Sequence, residues 1–458
     1  MMTILETQSR LQTIQTMLAA QDLEGARILL LSLHPADRAE IFRLLEDTEQ
    51  QIVLPLLNIP QTAELFEELE DAETLDVIES LGKNLSSERL ADILDEMDPD
   101  EAADLLGDLP PEQASQALSQ MEDADEVLPL LSYPDETAGG LMTTSFVAMR
   151  RNTTVRQALD FLANMQPDIE VPNYLYVIDG ERHLVGIVPL NVLVRAHHDN
   201  TMVNIMNPNV YVLSVHADQE EVAHQMARYD LAFMPVVDDE NRLVGVVTHD
   251  DIVDVLQQET TEDILHLGGV EAGPLSNKPY WSQRLRDIVR SRFTWLLILF
   301  IAETFTGTVL RHYEDELSAV VSLSFFIPLL IGTGGNAGSQ TVAGIIRALA
   351  LKEVSPEDVW HILQREMFAG LLLGVLIGLV AFGRAMLWGV EIQLAQTVGI
   401  TVAAICLWAN VVATLVPLAA TRIGLDPTIL SGPLMTTLID GTGLIIYFSI
   451  AAWILPEL

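Results

Sequence analysis

The sequence predicts a multidomain α+β membrane protein in four parts: an α-helical superhelical N domain, a tandem α/β repeat, a connecting helix and a five-helix transmembrane domain. Three observations predict it. Acidic residues crowd the first part of the chain, long apolar runs fill the last, and a stretch between them repeats itself at a fixed offset. Up to Pro274 there are 13 Lys and Arg against 52 Asp and Glu, a net of -39, whereas from Leu275 onward there are 11 against 13, a net of -2. A region that negative repels itself, and such an excess is best tolerated when bound cations neutralise part of it. The same charge excludes nucleic acid as a partner. The single cysteine, Cys406, lies in an apolar run, so no intramolecular disulfide forms and nothing marks an oxidising compartment. Met1 to Arg10 lacks the basic flank and apolar core of a secretory signal, which leaves targeting to the first membrane helix.

Residues 1–136 read as short amphipathic helices punctuated at Pro35, Pro60, Pro99 and the pair Pro110 and Pro111. Leu90, Ile93, Leu94 and Met97 fall at helical spacing, as do Ala102, Leu105, Leu106 and Leu109. Repeated short helices of this kind stack as a superhelix. Their acid runs read individually as solvated faces.

The repeat follows. Val177-Ile178-Asp179-Gly180-Glu181-Arg182-His183-Leu184-Val185-Gly186-Ile187-Val188 aligns with Val236-Val237-Asp238-Asp239-Glu240-Asn241-Arg242-Leu243-Val244-Gly245-Val246-Val247 at an offset of 59 residues. Each copy is a β-branched strand, a polar turn, a second strand and a helix, preceded by a helix at Val155 to Met165 or Gln219 to Tyr229. Met142 and Met206 stand near the start of the copies. This order resembles a pair of CBS domains, placed at 137–200 and 201–258.

A connecting helix is expected over 259–292, and the transmembrane domain over 293–458. Its spans are expected at Phe293 to Leu310, Ala319 to Ile346, Met367 to Leu387, Leu394 to Ala420 and Thr428 to Ile454. Arg284, Arg286, Arg290 and Arg292 precede the first span, and Arg347, Lys352 and Arg365 lie between the second and third. Both segments are therefore expected to be cytoplasmic, which places the soluble domains in the cytosol, the C-terminus outside and the whole in the plasma (inner) membrane.

Asp440 is the only charge between Pro427 and Pro456. A carboxylate at bilayer depth costs several kcal/mol unless it has a partner, so it marks an ion pathway. Pairing with Arg347 or Arg384, or protonation, is the alternative. Pro328 and the run Gly332-Thr333-Gly334-Gly335-Asn336-Ala337-Gly338-Ser339-Gln340 are expected to break the second span and line a wet cavity with irregular backbone; close helix packing through small residues is the competing account. Hard cations such as Mg2+ take oxygen ligands and keep their waters, so a wide site with few carboxylates can hold the hydrated ion. One Asp440 per subunit on a symmetry axis would give a carboxylate pair. Glu303, in the first span, is expected either to face the cavity or to pair with a basic residue.

Together with this domain order, Gly332-Thr333-Gly334-Gly335-Asn336 and Thr437-Leu438-Ile439-Asp440-Gly441-Thr442-Gly443 resemble the MgtE family of magnesium channels over essentially the whole chain. The resemblance implies a homodimer with one pore, in which Asp440 is the selectivity site, Asp426 in Gly424-Leu425-Asp426-Pro427 lies at the cytoplasmic mouth, and Asn336, Gly335 and Thr437 line the pore. It also implies closure by cytosolic Mg2+ bridging Glu64, Asp100 and Asp104 of the first domain, Asp218, Glu220, Asp230, Asp251 and Asp254 of the second CBS copy, and Glu259, Glu262 and Asp263 of the connector. Many CBS pairs bind adenine nucleotides through a Ser/Thr-x-x-Asp motif. Thr248-His249-Asp250-Asp251 matches, but the first copy has Pro189 and Val192 at those positions, which leaves ATP and metal as rival uses of Asp251. Transport of Mn2+ or Co2+ as well, or a membrane-anchored sensor without transport, stay open at this point. No nucleophile or zinc-protease motif points to an enzyme.

Overall fold

The structure is a computed structural model that describes residues 4–69, 73–75, 77–78, 85–165, 173–272, 283–429 and 432–455. It divides into two compact units, Met1–Gln257 and Gln258–Leu458.

The first unit opens with helices Ile4–Ala19, Leu23–Leu31, Pro35–Leu44, Asp47–Val53, Ile59–Glu67, Ser87–Leu94, Pro99–Asp108, Pro111–Leu118 and Ala124–Val127. The prolines that separate these helices also start them: Pro35, Pro99 and Pro111 are first residues and Pro60 a second. In the first turn the missing N–H has no helical partner to lose, and the fixed φ suits the helix. Caps reinforce the starts. Asn58 accepts from the Gln61 N–H while Gln61 returns a bond to Asn58, and Ser86 accepts from Arg89. Leu90, Ile93, Leu94, Met97, Ala102, Leu105, Leu106 and Leu109 are all buried, in a core that continues into Val222, Met234, Val236 and Val247 of the second repeat copy.

The repeat builds two three-stranded sheets. In one, β1 (Ala148–Arg150) pairs parallel to β2 (Tyr174–Ile178), which pairs antiparallel to β3 (Leu184–Pro189); in the other, β4 (Leu213–Ser214), β5 (Phe233–Val237) and β6 (Leu243–Thr248) repeat that order. Register repeats too, Tyr174 facing Pro189 and Phe233 facing Thr248. Each copy lends its leading segment to the other. A Cβ on Gly245 would stand 2.5 Å from the Met142 sulfur, and one on Gly186 2.7 Å from the Met206 sulfur, so each glycine is the space its counterpart's methionine fills. Backbone bridges from Thr143 to Val246 and from Ile187 to Asn207 complete the exchange.

In the second unit, helices Leu285–His312, Ile327–Ala350, Val359–Leu387, Ile392–Arg422 and Gly432–Ile454 supply five segments long and apolar enough to cross a membrane. Ile392–Arg422 is central, burying Ala395, Val398, Val402, Ile405, Ala409 and Ala413 along one stripe. The third helix reaches it through Gly370, Gly374 and Gly378, where a Cβ would fall 2.8 Å from Asn410 Cγ, 2.7 Å from the Ala403 carbonyl and 2.5 Å from the Gly399 carbonyl. Without a hydrophobic drive between helices in lipid, this close backbone approach is what packing there relies on.

Two expectations are corrected. The second span does not break at Pro328 or through Gly332 to Gln340: helix Ile327–Ala350 passes through both, with Pro328 in its first turn. The glycines serve packing instead. A Cβ would stand 2.6 Å from Ile405 Cγ2 at Gly334 and 3.0 Å from Thr436 Cγ2 at Gly335, and would collide with Ile439 at Gly338, whereas Gly332 and Gly344 face open space. The connector at 259–292 is not one helix either. Helix His249–Leu267 runs from the second repeat copy past the division between the units and stops at Gly268-Gly269, where Gly269 takes φ +69° and Val270 N–H bonds back to the Leu265 carbonyl. The next described helix begins at Leu285 and continues as the first membrane helix. Positions 273–282 of that expectation lie outside the described residues.

Candidate ion pathway and acidic regulatory site

Among the described residues, two carboxylate oxygens are buried without a hydrogen-bond partner: Asp440 Oδ1 and Asp100 Oδ1. Each defines a candidate site.

Asp440 sits in mid-helix in Gly432–Ile454, and its Oδ1 lies 3.8 Å from where a Cβ on Gly335 would stand. The glycine leaves room in front of the carboxylate. Neither arginine proposed as its partner reaches it, for Arg347 pairs with Glu353 at 3.3 Å and the Arg384 guanidinium lies 4.7 Å above the Trp388 ring. One turn earlier, Thr437 is buried and donates to the Pro433 carbonyl at 3.0 Å. Asn336 and Gln340 share an exposed stripe of Ile327–Ala350 with Gly332.

Where the last helix is entered, Asp426 caps the short turn Pro427–Ile429, taking the Thr428 N–H at 2.8 Å and the Thr428 hydroxyl. His266, near the end of the connector helix, closes on the same group. Its Nδ1 is 3.3 Å from Thr428 Oγ1 and 3.6 Å from Asp426 Oδ2, while Nε2 is 3.7 Å from Glu262 one turn back. Sequence reading missed His266, although the spacing Glu262-x-x-x-His266 before a diglycine stop was visible.

Asp100 is in the first turn of Pro99–Asp108, and Asp251 in the first turn of His249–Leu267. Helix N-termini favour the ionised form of such groups, yet burial wins at both. Burial first, then the Asp251 and Asp98 carboxylates, hold Asp100 well above the usual carboxylate range. Asp251 rises to about 6, chiefly by burial and in part by Asp250 and Asp98, against the opposing Thr248 hydroxyl, which donates to Oδ2 at 2.5 Å. Glu67, raised mainly by burial, accepts the Asp98 N–H at 2.9 Å, so a further acid missed in the sequence joins this group. Both Asp100 and Asp251 are carboxylates whose charge the surroundings do not neutralise. Among the described residues no three acid, histidine or cysteine side chains converge tightly enough to enclose a bare ion.

Family models match this chain in three places: a divalent cation transporter domain of the MgtE type over 327–450, an MgtE intracellular N domain over 33–136, and CBS domains over 138–199 and 203–258. The magnesium transporter MgtE of Thermus thermophilus is 41% identical over 338 residues, 72% of each chain. The chain belongs to the MgtE family of magnesium transporters. The Enterococcus faecalis magnesium transporter MgtE extends the likeness to 94% of each chain at 34% identity. A crystal structure of the cytosolic domain of the Mg2+ channel MgtE in complex with ATP superposes with TM-score 0.50 and 35% identity, covering 54% of this chain and 99% of that one. Magnesium transport, by a multi-pass membrane protein that is not an enzyme, is thus the activity of this MgtE chain.

The other acids assigned by resemblance are placed less tellingly. Glu64 pairs with buried Arg38 at 3.1 Å. Asp218 is the N-cap of Gln219–Tyr229, accepting from Glu220 N–H, and Asp230 ends that helix at φ 53°, a left-handed conformation Asp tolerates. Glu220 and Asp254 are exposed, and Asp104, Glu259, Glu262 and Asp263 half-buried. Thr248 and Asp251 face one another and the acid group. The open groove of the CBS pair, of about 730 Å3, is lined instead by Tyr174, Pro189, Asn191, Arg195 and Phe233.

Proposed function

We propose that this MgtE protein is a passive homodimeric Mg2+ channel in which Asp440 of each protomer forms the selectivity site and cytosolic Mg2+ closes the pore. The observation that carries the reading is the buried, unbonded Asp440 oxygen opposite Gly335, at membrane depth and, among the described residues, without a cationic side chain beside it. In lipid an ionised carboxylate left so is expensive. A hydrated divalent ion passing in front of it restores what the helix lacks. Two such carboxylates on a dimer axis would bind the water shell of Mg2+ without stripping it.

The gate rests on the second orphan. Asp100, Asp251, Asp98 and Glu67 repel one another when bare and hold together when divalent cations sit among them, so Mg2+ binding and closure are linked reciprocally. Asp104, Asp218, Glu220, Asp230, Asp254, Glu259, Glu262 and Asp263 are the further ligands of this reading, and Glu64, already paired, the least favoured. Closure holds His266 against Thr428 and Asp426 at the cytoplasmic mouth. The N-terminal unit is cytosolic, the C-terminus outside, and the membrane is the inner one. Adenine nucleotide is assigned to the groove between Tyr174 and Phe233, where aromatic edges and Arg195 suit a base and a phosphate, rather than to Thr248 and Asp251.

Uptake of Mg2+ into proteoliposomes by the intact protein and by Asp440→Ala, at low and at millimolar internal Mg2+, tests both halves. Flux that needs Asp440 and falls as internal Mg2+ rises is expected; equal flux from the two proteins removes Asp440 from the pathway. Parallel runs with Mn2+ and Co2+ set the breadth of selectivity.

A further inference from the structure

Glu303, like Asp440, is a carboxylate within the length of a membrane helix that forms no ion pair among the described residues. It lies in the middle of the first membrane helix, Leu285–His312, on the stripe Phe293, Leu296, Phe300 and Glu303 that walls a groove of about 620 Å3. The opposite wall includes Thr437, one turn from Asp440. The two helices approach closely just beyond. A Cβ on Gly441 would collide with the Phe305 ring and stand 3.3 Å from Thr306 Oγ1. Glu303 and Thr306, three residues apart, therefore share the face of the first helix that meets the Thr437–Gly441 turn.

Thr306 supplies an independent sign. On the same helix Thr304 and Thr308 donate their hydroxyls to the Ile301 and Thr304 carbonyls, the usual solution for a hydroxyl in lipid. Thr306 does not: only 4% exposed, it leaves Oγ1 without a partner. An orphaned hydroxyl, an orphaned carboxylate oxygen on Asp440 and an unpaired Glu303 thus gather around one crossing of two helices. Glu303 is exposed along the groove while the Asp440 oxygen and the Thr306 hydroxyl are buried at its inner edge, and acceptors gathered so at membrane depth are costly unless a cation or its waters stand among them.

We propose that Glu303, with Thr306 behind it, is a second cation-holding position of the transport pathway and sets how strongly the site next to Asp440 attracts Mg2+. The inference rests on Asp440 being in the pathway. It differs in kind: Asp440 is needed for conduction, while Glu303 adds a second negative charge that raises occupancy. Removing one of two charges that act on a divalent ion at an effective dielectric constant of about 20 should weaken its binding by about tenfold or more.

The test is the dependence of proteoliposome uptake on external Mg2+ for the intact protein, Asp440→Asn, Glu303→Gln, Glu303→Asp and Thr306→Val, with internal Mg2+ low. Expected are loss of flux for Asp440→Asn, half-saturation raised about tenfold for Glu303→Gln with maximal flux largely kept, recovery toward the wild-type value for Glu303→Asp, and a smaller rise for Thr306→Val. Unchanged flux in Asp440→Asn overturns the reading of the pathway itself. Loss in Asp440→Asn together with wild-type half-saturation in Glu303→Gln overturns the present proposal and leaves Glu303 facing lipid. Should Glu303→Gln not be recovered folded, half-saturation of Glu303→Asp identical to wild type, with Thr306→Val also unchanged, overturns it equally.

Discussion

Asp440 and Asp100 present the same chemistry in opposite surroundings. Both leave a carboxylate oxygen buried and unbonded. Around Asp440 the sequence is apolar and small, so the orphan faces space left by Gly335; around Asp100 stand Asp251, Asp98 and Asp104, so the orphan has more negative charge about it. A lone carboxylate in a pathway must attract an ion and let it leave, whereas a crowd of carboxylates between packed elements can be closed only while ions remain. On the proposed function, the difference teaches that one residue type would serve conduction where acids are few and sensing where they are massed.

The largest expected effect breaks the two apart. Asp440→Asn should lower Mg2+ flux by about 100-fold or more, a loss of several kcal/mol of ion stabilisation, while Mg2+ still protects residues 4–257 of the intact protein from protease. Asp100→Asn should do the reverse. Flux persists at low internal Mg2+, the internal Mg2+ needed for closure rises about tenfold, the size of one lost charge contact, and the metal-free protein resists protease better because a buried charge has gone. If Asp440→Asn instead abolished Mg2+ protection, or Asp100→Asn abolished flux, the division of labour would be wrong.

The same contrast explains what could be read in advance. Asp440 was legible because it is the only charge between Pro427 and Pro456. The β-repeat was legible because strands Tyr174–Ile178 and Phe233–Val237 carry matching side chains at a fixed offset. Asp100 could be named only by resemblance, since among so many acids burial is what distinguishes it, and burial of a side chain in a first helical turn depends on tertiary partners. Thr306 gave no signal at all, for Thr304, Thr306 and Thr308 look alike until their hydrogen bonds are drawn. The glycines of Gly332 to Gln340 misled in the other direction. Small residues permit either irregular backbone or close packing, and the Ile405 and Ile439 side chains that decide for packing come from other helices.

A smaller effect sharpens the link between the regions. His266→Ala removes the contacts at 3.3 Å to Thr428 and 3.6 Å to Asp426, interactions worth about 0.5–1.5 kcal/mol when only partly buried. Flux at millimolar internal Mg2+ should rise by a few-fold, with little change at low internal Mg2+. A rise of equal size at both concentrations would mean that His266 affects the pore itself and not its closure.

The smallest effect concerns protons in place of metal. Asp251 stands near 3.8 when unfolded and at about 6 when folded, with Asp98, Asp100 and Asp250 around it. The folded state therefore binds more protons between those values, and stability must increase as pH falls through about 6 toward 4. For a raised carboxylate the sign is opposite to that of a salt-bridged one. In the presence of a chelator, thermal unfolding of the N-terminal unit in the intact protein should move upward between pH 7.5 and 5, by an amount corresponding to about 1–3 kcal/mol. Saturating Mg2+ should erase that slope or reverse it, because ions and protons compete for the same oxygens. A metal-free protein that lost stability over this interval would show that Asp251 and its neighbours are already neutralised by side chains, and the massed acids would then be a solvated face and not a sensor.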